Sequence, residues 1–310
     1  MPESLVRPLF SGPIDIIGDI HGERTVLMTL LEQLGYDDAG RHPAGRRLVF
    51  LGDMVDRGPD SIGVVDLVQR LVESNVAQCV LGNHELNLLL DRKRAGNAWF
   101  FGEPEALAGS DRITPQKLAD EHDRSRLLDF FATLPLVLER PDVRVVHACW
   151  NRDAVEAVRP LHNVLATFHE HRARIEAFVE ANGLEPIAAK LRHQLENPVK
   201  LLTSGPERRT ESPFEASGSM RYLERVPWWV DYADSPYCVF GHYAAGPSGQ
   251  AGDGHAICAD FGIAARWRER IEREELPSGT GGDFTTRLAA VRFPEKTILL
   301  DSGEAIAFGE

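Results

Sequence analysis

Short apolar segments alternate with amphipathic helical segments near the start of the chain, and this alternation constrains the fold most. Three segments rich in Val, Ile, Leu and Phe have the length and composition of buried strands: 13–17, 47–51 and 77–81. The segment between the first two spaces its apolar residues along one helical face and ends at Gly35. The second connection begins near a cap at Asp60 or Ser61. Strands joined by helices at this spacing imply right-handed crossovers and a largely parallel start to the sheet.

Further strand candidates follow at 143–147 and 237–241, then in the segments "HAICADF", "RLAAVRF" and "KTILLD". The last of these are closely joined, so we expect them to pair antiparallel. Two stretches interrupt the rhythm with mostly helical patterns, at about 86–134 and 151–220, and the second ends in a Gly/Ser/Pro-rich loop over 203–220. Neither is long enough to stand alone. The sequence predicts a single domain over 1–310 with two helical elaborations.

Composition narrows the function classes. The 310 residues carry a formal net charge of −13, which disfavours a surface built to bind nucleic acid. No apolar stretch reaches about 18 residues and no leader pattern is visible, so we expect a cytoplasmic protein with no membrane partner. The cysteines are widely spaced within or beside apolar runs and read as buried, reduced thiols: Cys79, Cys149, Cys238 and Cys258.

Each of the five strongest strand candidates ends in polar residues that can bind a metal. The residues in question are Asp19, His21, Asp53, Asn83, His147 and His242. Ligands of open α/β sheets bind beyond the carboxyl ends of the strands, so these side chains are expected to share one cleft. Oxygen and imidazole donors without thiolate suit Mn, Fe or Zn. The sequence therefore predicts a metal site at these strand ends.

The same residues lie in five ordered motifs, "GDIHG", "GDMVDRG", "GNHE", "VVHA" and "FGHY". In these motifs the chain resembles the calcineurin-like metallophosphoesterases, in particular the phosphoprotein phosphatase branch that includes serine/threonine phosphatases. The segments "CADFG" and "RLAAVRFPE" are similar to the closing strands of bacterial relatives of the symmetrical dinucleoside tetraphosphate hydrolases. The resemblance implies an α/β (α+β) fold: a metallophosphoesterase β-sandwich flanked by helices, with helical insertions.

The resemblance also implies roles for the metal ligands. Asp19 and His21 would bind a first divalent ion, and Asp53 would bridge it to a second. The second ion would be completed by Asn83, His147 and His242. We expect Mn, with Fe or Zn as alternatives.

Catalytic roles follow from the same resemblance. His84 would be the general acid, and Asp56 would orient its ring and keep it protonated. Arg57 would bind substrate phosphate, because a guanidinium matches phosphate oxygens. A second phosphate-binding arginine would be Arg221 or Arg225.

The function expected from the resemblance is hydrolysis of phosphomonoesters by attack of a metal-bridging hydroxide. The substrate would be a phosphoprotein, a small phosphate ester or a nucleotide. The alternative is a dinucleoside tetraphosphate hydrolase, and a remote alternative is an inactive binding module. An aromatic cluster and a glutamate near these motifs are expected to have structural roles. We expect Trp228 and Trp229, beside Tyr232, to pack in the core rather than stack on a nucleobase, and Glu85 to shape its loop rather than bind metal.

Overall fold

Two β-sheets form the centre of the protein in a computed structural model that describes residues 3–106, 116–216, 219–244, 255–273 and 284–308. The strands are β1 (Val6–Pro8), β2 (Ile14–Ile17), β3 (Arg47–Phe50), β4 (Ala77–Cys79), β5 (Val137–Glu139), β6 (Val143–Val146), β7 (Glu207–Ala216), β8 (Ser219–Arg225), β9 (Tyr237–Phe240), β10 (Ala256–Cys258), β11 (Asp260–Phe261), β12 (Arg287–Phe293), β13 (Thr297–Leu300) and β14 (Ala305–Ala307).

The larger sheet of the described chain has the order β14-β13-β12-β2-β3-β4, with β11 paired to β12. The smaller sheet has the order β1-β5-β6-β9-β10. As predicted, β2, β3 and β4 are parallel neighbours. Strands β6 and β9 are likewise parallel in the smaller sheet. The carboxyl ends of these five strands carry the motifs described above.

Successive residues of the central strands pack into two different apolar clusters, one on each face of the sheet. Ile16 and Val49 belong to an apolar cluster shared with Val145 and Val239 of the other sheet, so this cluster lies between the sheets. Ile17, one residue on from Ile16, belongs to a second cluster that includes residues of the flanking helices. Because both faces of each sheet are covered, the strands read as continuous apolar runs. The predicted β-sandwich flanked by helices is confirmed.

The helices cover the outer faces and form the elaborations. In the described ranges they are α1 (Arg24–Leu34), α2 (Ser61–Glu73), α3 (Asn83–Leu89), α4 (Glu121–Thr133), α5 (Arg152–Val158), α6 (Val164–Asn182), α7 (Pro186–Glu196), α8 (Pro198–Ser204) and α9 (Arg266–Glu272). Helix α1 ends at Gly35, whose φ of 94° is the left-handed conformation that favours glycine. Asp60 is the residue that caps α2, through a bond from the Gly63 N–H.

The first elaboration contains most of α3, a 3-10 turn at Ala98–Phe101 and α4, while residues 107–115 lie outside the described residues. The second contains helices α5 to α8. The loop predicted over 203–220 is wrong, because β7 and β8 pair there as an antiparallel hairpin. Within 203–220, Gly, Ser and Pro occur at the two ends of the segment and near the register irregularity between Arg209 and Phe214. The composition of the whole segment is therefore typical of a loop, although most of its residues lie in strands.

The closing strands pair largely as expected. Strands β11 and β13 are both antiparallel to β12, and β14 is antiparallel to β13. Strand β10 is an exception, since it pairs parallel with β9. The connection between them is long enough for a parallel crossover.

The cysteine prediction is confirmed, because all four thiols are free and buried. None of the helices in the described part of the chain combines the length and apolar character needed to cross a bilayer.

Candidate metal centre and active site

The two sheets bring the predicted ligands to one place. Two groups of side chains have ligand atoms within 4.8 Å of one another: His21, Asp53 and His84, and Asp53, His147 and His242. Asp53 is common to both. Its Oδ2 lies 3.7 Å from His21 Nε2, and its Oδ1 lies 3.4 Å from His147 Nε2. A carboxylate that turns one oxygen toward each group can serve two cations.

The other two candidate ligands lie at the edges of these groups. Asp19 Oδ2 is 4.0 Å from His21 Nε2 and accepts the His242 backbone N–H at 3.1 Å. Asn83 Oδ1 is 3.1 Å from His147 Nε2. All six side chains named from the sequence therefore meet, although strands of two different sheets carry them.

The loops that present these ligands have unusual backbone conformations. His21, Asp53 and His242 have φ values of 47°, 47° and 69°, in the left-handed region that most residues avoid. The buried Glu85 carboxylate accepts the backbone N–H groups of Asp53 and Gly82, at 2.9 Å and 3.1 Å, and that of the next residue, Met54. Glu85 thus shapes its loop, as the sequence predicts.

Two glycines allow the strand ends to approach each other. A Cβ at Gly18 would lie 2.0 Å from the Ala259 carbonyl oxygen, and one at Gly241 would lie 2.0 Å from Asp19 Oδ1. The glycines of "GDIHG" and "FGHY" are therefore required by close packing around the site.

The chemistry of the donors fits a pair of divalent cations. Asp19 Oδ1 is buried and has no hydrogen-bond partner among the described residues. Burial, and then the Asp260 carboxylate, raise the pKa of Asp19 well above its usual range. A carboxylate in such a place needs a positive partner to stay ionised. A bound divalent cation would supply this positive charge, and the free Asp19 Oδ1 would be one of its ligands.

The imidazoles respond to the same charges. Burial lowers the pKa of His147, but the adjacent Asp53 carboxylate outweighs it and raises the value to about 10. Burial and the neighbouring His84 ring lower the pKa of His21 to about 3, so that His21 is a neutral donor. Metal binding needs an unprotonated imidazole nitrogen, so a cation at Asp53 would compete with the proton that this carboxylate favours on His147.

His84 forms a separate pair with Asp56. Its Nδ1 lies 2.5 Å from Asp56 Oδ2, and Asp56 is 1% exposed. Burial lowers the pKa of His84, but Asp53 and Asp56 together raise it above the usual value. An imidazole whose protonated form is favoured by two carboxylates is suited to proton donation.

Arg57 and one of the two alternatives for the second phosphate-binding arginine lie near the site. Arg57 is exposed, and its charge lowers the pKa of His21, after burial and His84. Arg225 donates from Nη1 to the His242 carbonyl oxygen at 2.7 Å. Arg221 lies farther out on the hairpin, opposite Phe214. Of the two alternatives, the structure brings Arg225 to the site.

Two tryptophans follow the β7–β8 hairpin in the chain and precede strand β9. Trp228 and Trp229 pack on Phe240, with ring centroids 4.9 Å and 5.2 Å apart, and Tyr232 packs on Trp228. These aromatic side chains pack against the main apolar cluster. All three side chains are half-buried at the edge of this cluster, which agrees with the packing part of the prediction.

Sequence reasoning missed two residues. Asp260 is buried, and its Oδ2 accepts the Ala244 N–H at 2.8 Å, which holds the loop that follows His242. The Trp99 indole N–H donates to Asp56 Oδ1 at 2.8 Å. "CADFG" contains Asp260, but only as a strand signal. Trp99 lies in no motif.

Comparison with known proteins identifies the family. The family model described as "Calcineurin-like phosphoesterase" matches residues 12–205. A symmetrical bis(5'-nucleosyl)-tetraphosphatase of Chromohalobacter salexigens is 29% identical over 283 residues, covering 85% of this chain and 94% of that protein. An asymmetrical bis(5'-nucleosyl)-tetraphosphatase, PrpE, of Halalkalibacterium halodurans is 48% identical over 140 residues, covering 42% of this chain.

The asymmetrical relatives are matched over only part of their length, for example 30% of one and 57% of another. A solved structure of a candidate diadenosine tetraphosphatase aligns with a TM-score of 0.51 at 21% identity and covers 100% of both chains, which shows a common fold. The family resemblance seen in the five motifs is confirmed. Since the family model covers more than half of the sequence, the chain belongs to the calcineurin-like phosphoesterases, a family of dimetal-dependent hydrolases.

Proposed function

We propose that this chain hydrolyses dinucleoside tetraphosphates, adding one water molecule across a phosphoanhydride bond. The observation that carries the proposal is the match to the symmetrical tetraphosphatase of Chromohalobacter salexigens, which extends over 94% of that protein. Shorter matches to asymmetrical tetraphosphatases support the same substrate class. The comparisons favour this function over phosphomonoester hydrolysis, which the sequence alone ranks first.

The residues that would hold two divalent ions are Asp19, His21, Asp53, Asn83, His147 and His242. Bound ions supply positive charge that polarises a phosphoryl group and lowers the pKa of a water molecule. Asp53 suits the bridging position, because its two oxygens face His21 and His147 separately. Oxygen and imidazole donors suit Mn²⁺, with Fe or Zn as alternatives.

Two arginines would bind the phosphate chain. Arg57 directly follows Asp56, the partner of His84, which places its backbone beside the group that contains His21 and His84. Arg225 lies beside His242 in the other group. A guanidinium next to each group suits a substrate with several consecutive phosphates, because charge is available on both sides of the reacting phosphorus.

His84 would protonate the leaving oxygen. Its Nδ1 is occupied by Asp56, so the transferable proton is on Nε2. A nucleoside diphosphate or triphosphate leaves as a weakly basic anion and needs this proton less than an alkoxide or phenolate does. The acid should therefore matter more for esters than for the tetraphosphate.

The test is product analysis. Purified chain with Mn²⁺ is incubated with diadenosine tetraphosphate, and nucleotides are separated by anion exchange, with Asp53→Asn as the inactive control. We expect two ADP per substrate, as in symmetrical cleavage. Equal amounts of AMP and ATP would indicate asymmetrical cleavage instead. Turnover of p-nitrophenyl phosphate without turnover of the tetraphosphate would overturn the proposal in favour of a phosphomonoesterase. Two bound ions without turnover of either substrate would indicate a binding module.

A further inference from the structure

We infer that Trp99 is a positioning residue for the pair His84–Asp56, an inference that rests on the proposed role of His84 as the acid. Trp99 lies in the 3-10 turn Ala98–Phe101, inside the first elaboration and outside every motif. Its proposed task is to hold the Asp56 carboxylate in the one orientation that lets His84 present its proton.

The Asp56 carboxylate has a different partner on each oxygen. Oδ2 bonds His84 Nδ1 at 2.5 Å, and Oδ1 accepts the Trp99 indole N–H at 2.8 Å. Asp56 is 1% exposed and Trp99 is 0% exposed, so the two bonds are shielded from bulk water. Without the indole donor, Oδ1 would be a buried acceptor with one partner fewer, and the carboxylate could rotate away from His84.

The same segment supports the backbone around Asp56. Asp56 and Arg57 have φ values of 72° and 70°, which are both left-handed and unfavourable for residues with side chains. The Ser61 hydroxyl accepts the Asp56 N–H at 2.9 Å, and the Gly96 carbonyl accepts the Arg57 N–H at 3.2 Å. Gly96 and Trp99 are three positions apart, so one short segment restrains both the loop and its carboxylate.

The segment that carries Trp99 is itself held in place. The buried Asn97 side chain donates to the Arg92 carbonyl at 2.9 Å and accepts the Arg94 N–H at 2.8 Å. The Trp99 carbonyl accepts the Ala119 N–H at 2.9 Å. The first elaboration therefore places the indole N–H accurately.

A tryptophan that only fills space does not need its N–H. The indole nitrogens of Trp150 and Trp267 are buried and have no hydrogen-bond partner within the described residues. Trp99 differs from both, because its N–H is directed at a carboxylate that bonds the proposed acid.

The experiment replaces the donor and keeps the ring. Trp99→Phe should lower kcat on phenyl phosphate by about 10- to 100-fold, the range expected for a hydrogen bond to a charged group. The loss should be only a few-fold on p-nitrophenyl phosphate, whose leaving group needs little protonation. KM and the content of two Mn²⁺ ions should change little.

A spectroscopic readout makes the test independent of turnover. The short bond between His84 Nδ1 and Asp56 should give a downfield proton resonance in the Zn²⁺-loaded protein, assigned by its loss in His84→Asn. Trp99→Phe should shift or broaden this resonance. Phe100→Leu is the matched control, because Phe100 is 3% exposed and lies beside Trp99 with ring centroids 5.8 Å apart. It should leave the resonance unchanged and reduce both esterase rates equally, if at all.

The outcomes separate this inference from the proposed function. An unchanged resonance, with equal losses on both esters in Trp99→Phe, would overturn the inference while His84→Asn still shows the leaving-group dependence. If His84→Asn also lacks that dependence, the acid assignment fails and the inference fails with it. Absence of esterase turnover leaves the resonance to decide.

Discussion

Gly241→Ala should damage the first metal position through a single methyl group. Gly241 lies between strand β9 and His242. Its φ is not positive, so its backbone conformation is open to alanine as well. The added Cβ would lie 2.0 Å from Asp19 Oδ1, whereas real Cβ contacts stay beyond 3.0 Å. The Asp19 carboxylate must therefore retreat by at least the difference, 1.0 Å.

That displacement is large for a metal site. Ligand distances in metal centres hold to within about 0.2 Å. Loss of outer-shell support alone costs about 10- to 100-fold in metal affinity, so we expect at least that loss for the displaced Asp19. Isothermal titration of the metal-free protein with Mn²⁺ would measure it, and kcat at saturating Mn²⁺ would show whether the remaining site still works.

Two further variants test whether the loss of affinity comes from the contact with Asp19. Gly12→Ala introduces strain without a clash, since Gly12 has φ of 80° and no atom within 4 Å of the added Cβ. It should lower the melting temperature and leave Mn²⁺ affinity unchanged. In an Asp19→Ala background, Gly241→Ala should cause no further loss of affinity. Two Mn²⁺ ions bound at wild-type affinity in Gly241→Ala would refute the argument.

Three other perturbations test the site and the fold. Asp53→Asn should reduce metal occupancy at both positions, because its oxygens face both groups; metal analysis showing two ions at wild-type affinity would contradict this. His84→Ala should keep its metals and lose about 10²- to 10⁴-fold in turnover of an ester with a poor leaving group, with a smaller loss on p-nitrophenyl phosphate. Arg46→Met should destabilise the fold by about 1.5–3 kcal/mol in urea denaturation, because the buried Asp15 carboxylate loses the Arg46 bond at 2.7 Å and keeps Arg292 and Tyr36 as partners. The exposed Arg41→Met is its control and should leave the midpoint nearly unchanged.

The strands that present the site could be predicted because burial on both faces leaves a strong signal. Residues of β2 and β3 alternate between the inter-sheet cluster and the helix-facing cluster, so every position is apolar or paired. The glycine and polar residues that end these runs are equally visible in the sequence. That the polar residues of two different sheets come together depends on long-range contacts, and only the order of the motifs indicated it.

The hairpin and Trp99 could not be predicted for a different reason. Strands β7 and β8 form a separate two-stranded sheet, so their sequence carries no buried apolar run of the kind that marks the central strands. Trp99 contacts a carboxylate more than forty positions away, and nothing local in "NAWFF" distinguishes a donor from a space filler. Long-range polar contacts of this kind leave no periodic pattern.

The length of the motifs follows from the strain of the backbone they contain. His21, Asp53 and His242 are all left-handed, which costs about 1–3 kcal/mol for each residue unless the surroundings enforce it. The surroundings here come from neighbouring motifs. Glu85 of "GNHE" binds the N–H groups of the "GDMVDRG" loop, and a Cβ on Gly22 of "GDIHG" would lie only 3.0 Å from the backbone of Gly58. The motifs thus pack as one unit. This is why each contains residues that offer no metal ligand: they hold the ligands of the others in a conformation that an isolated loop would not keep.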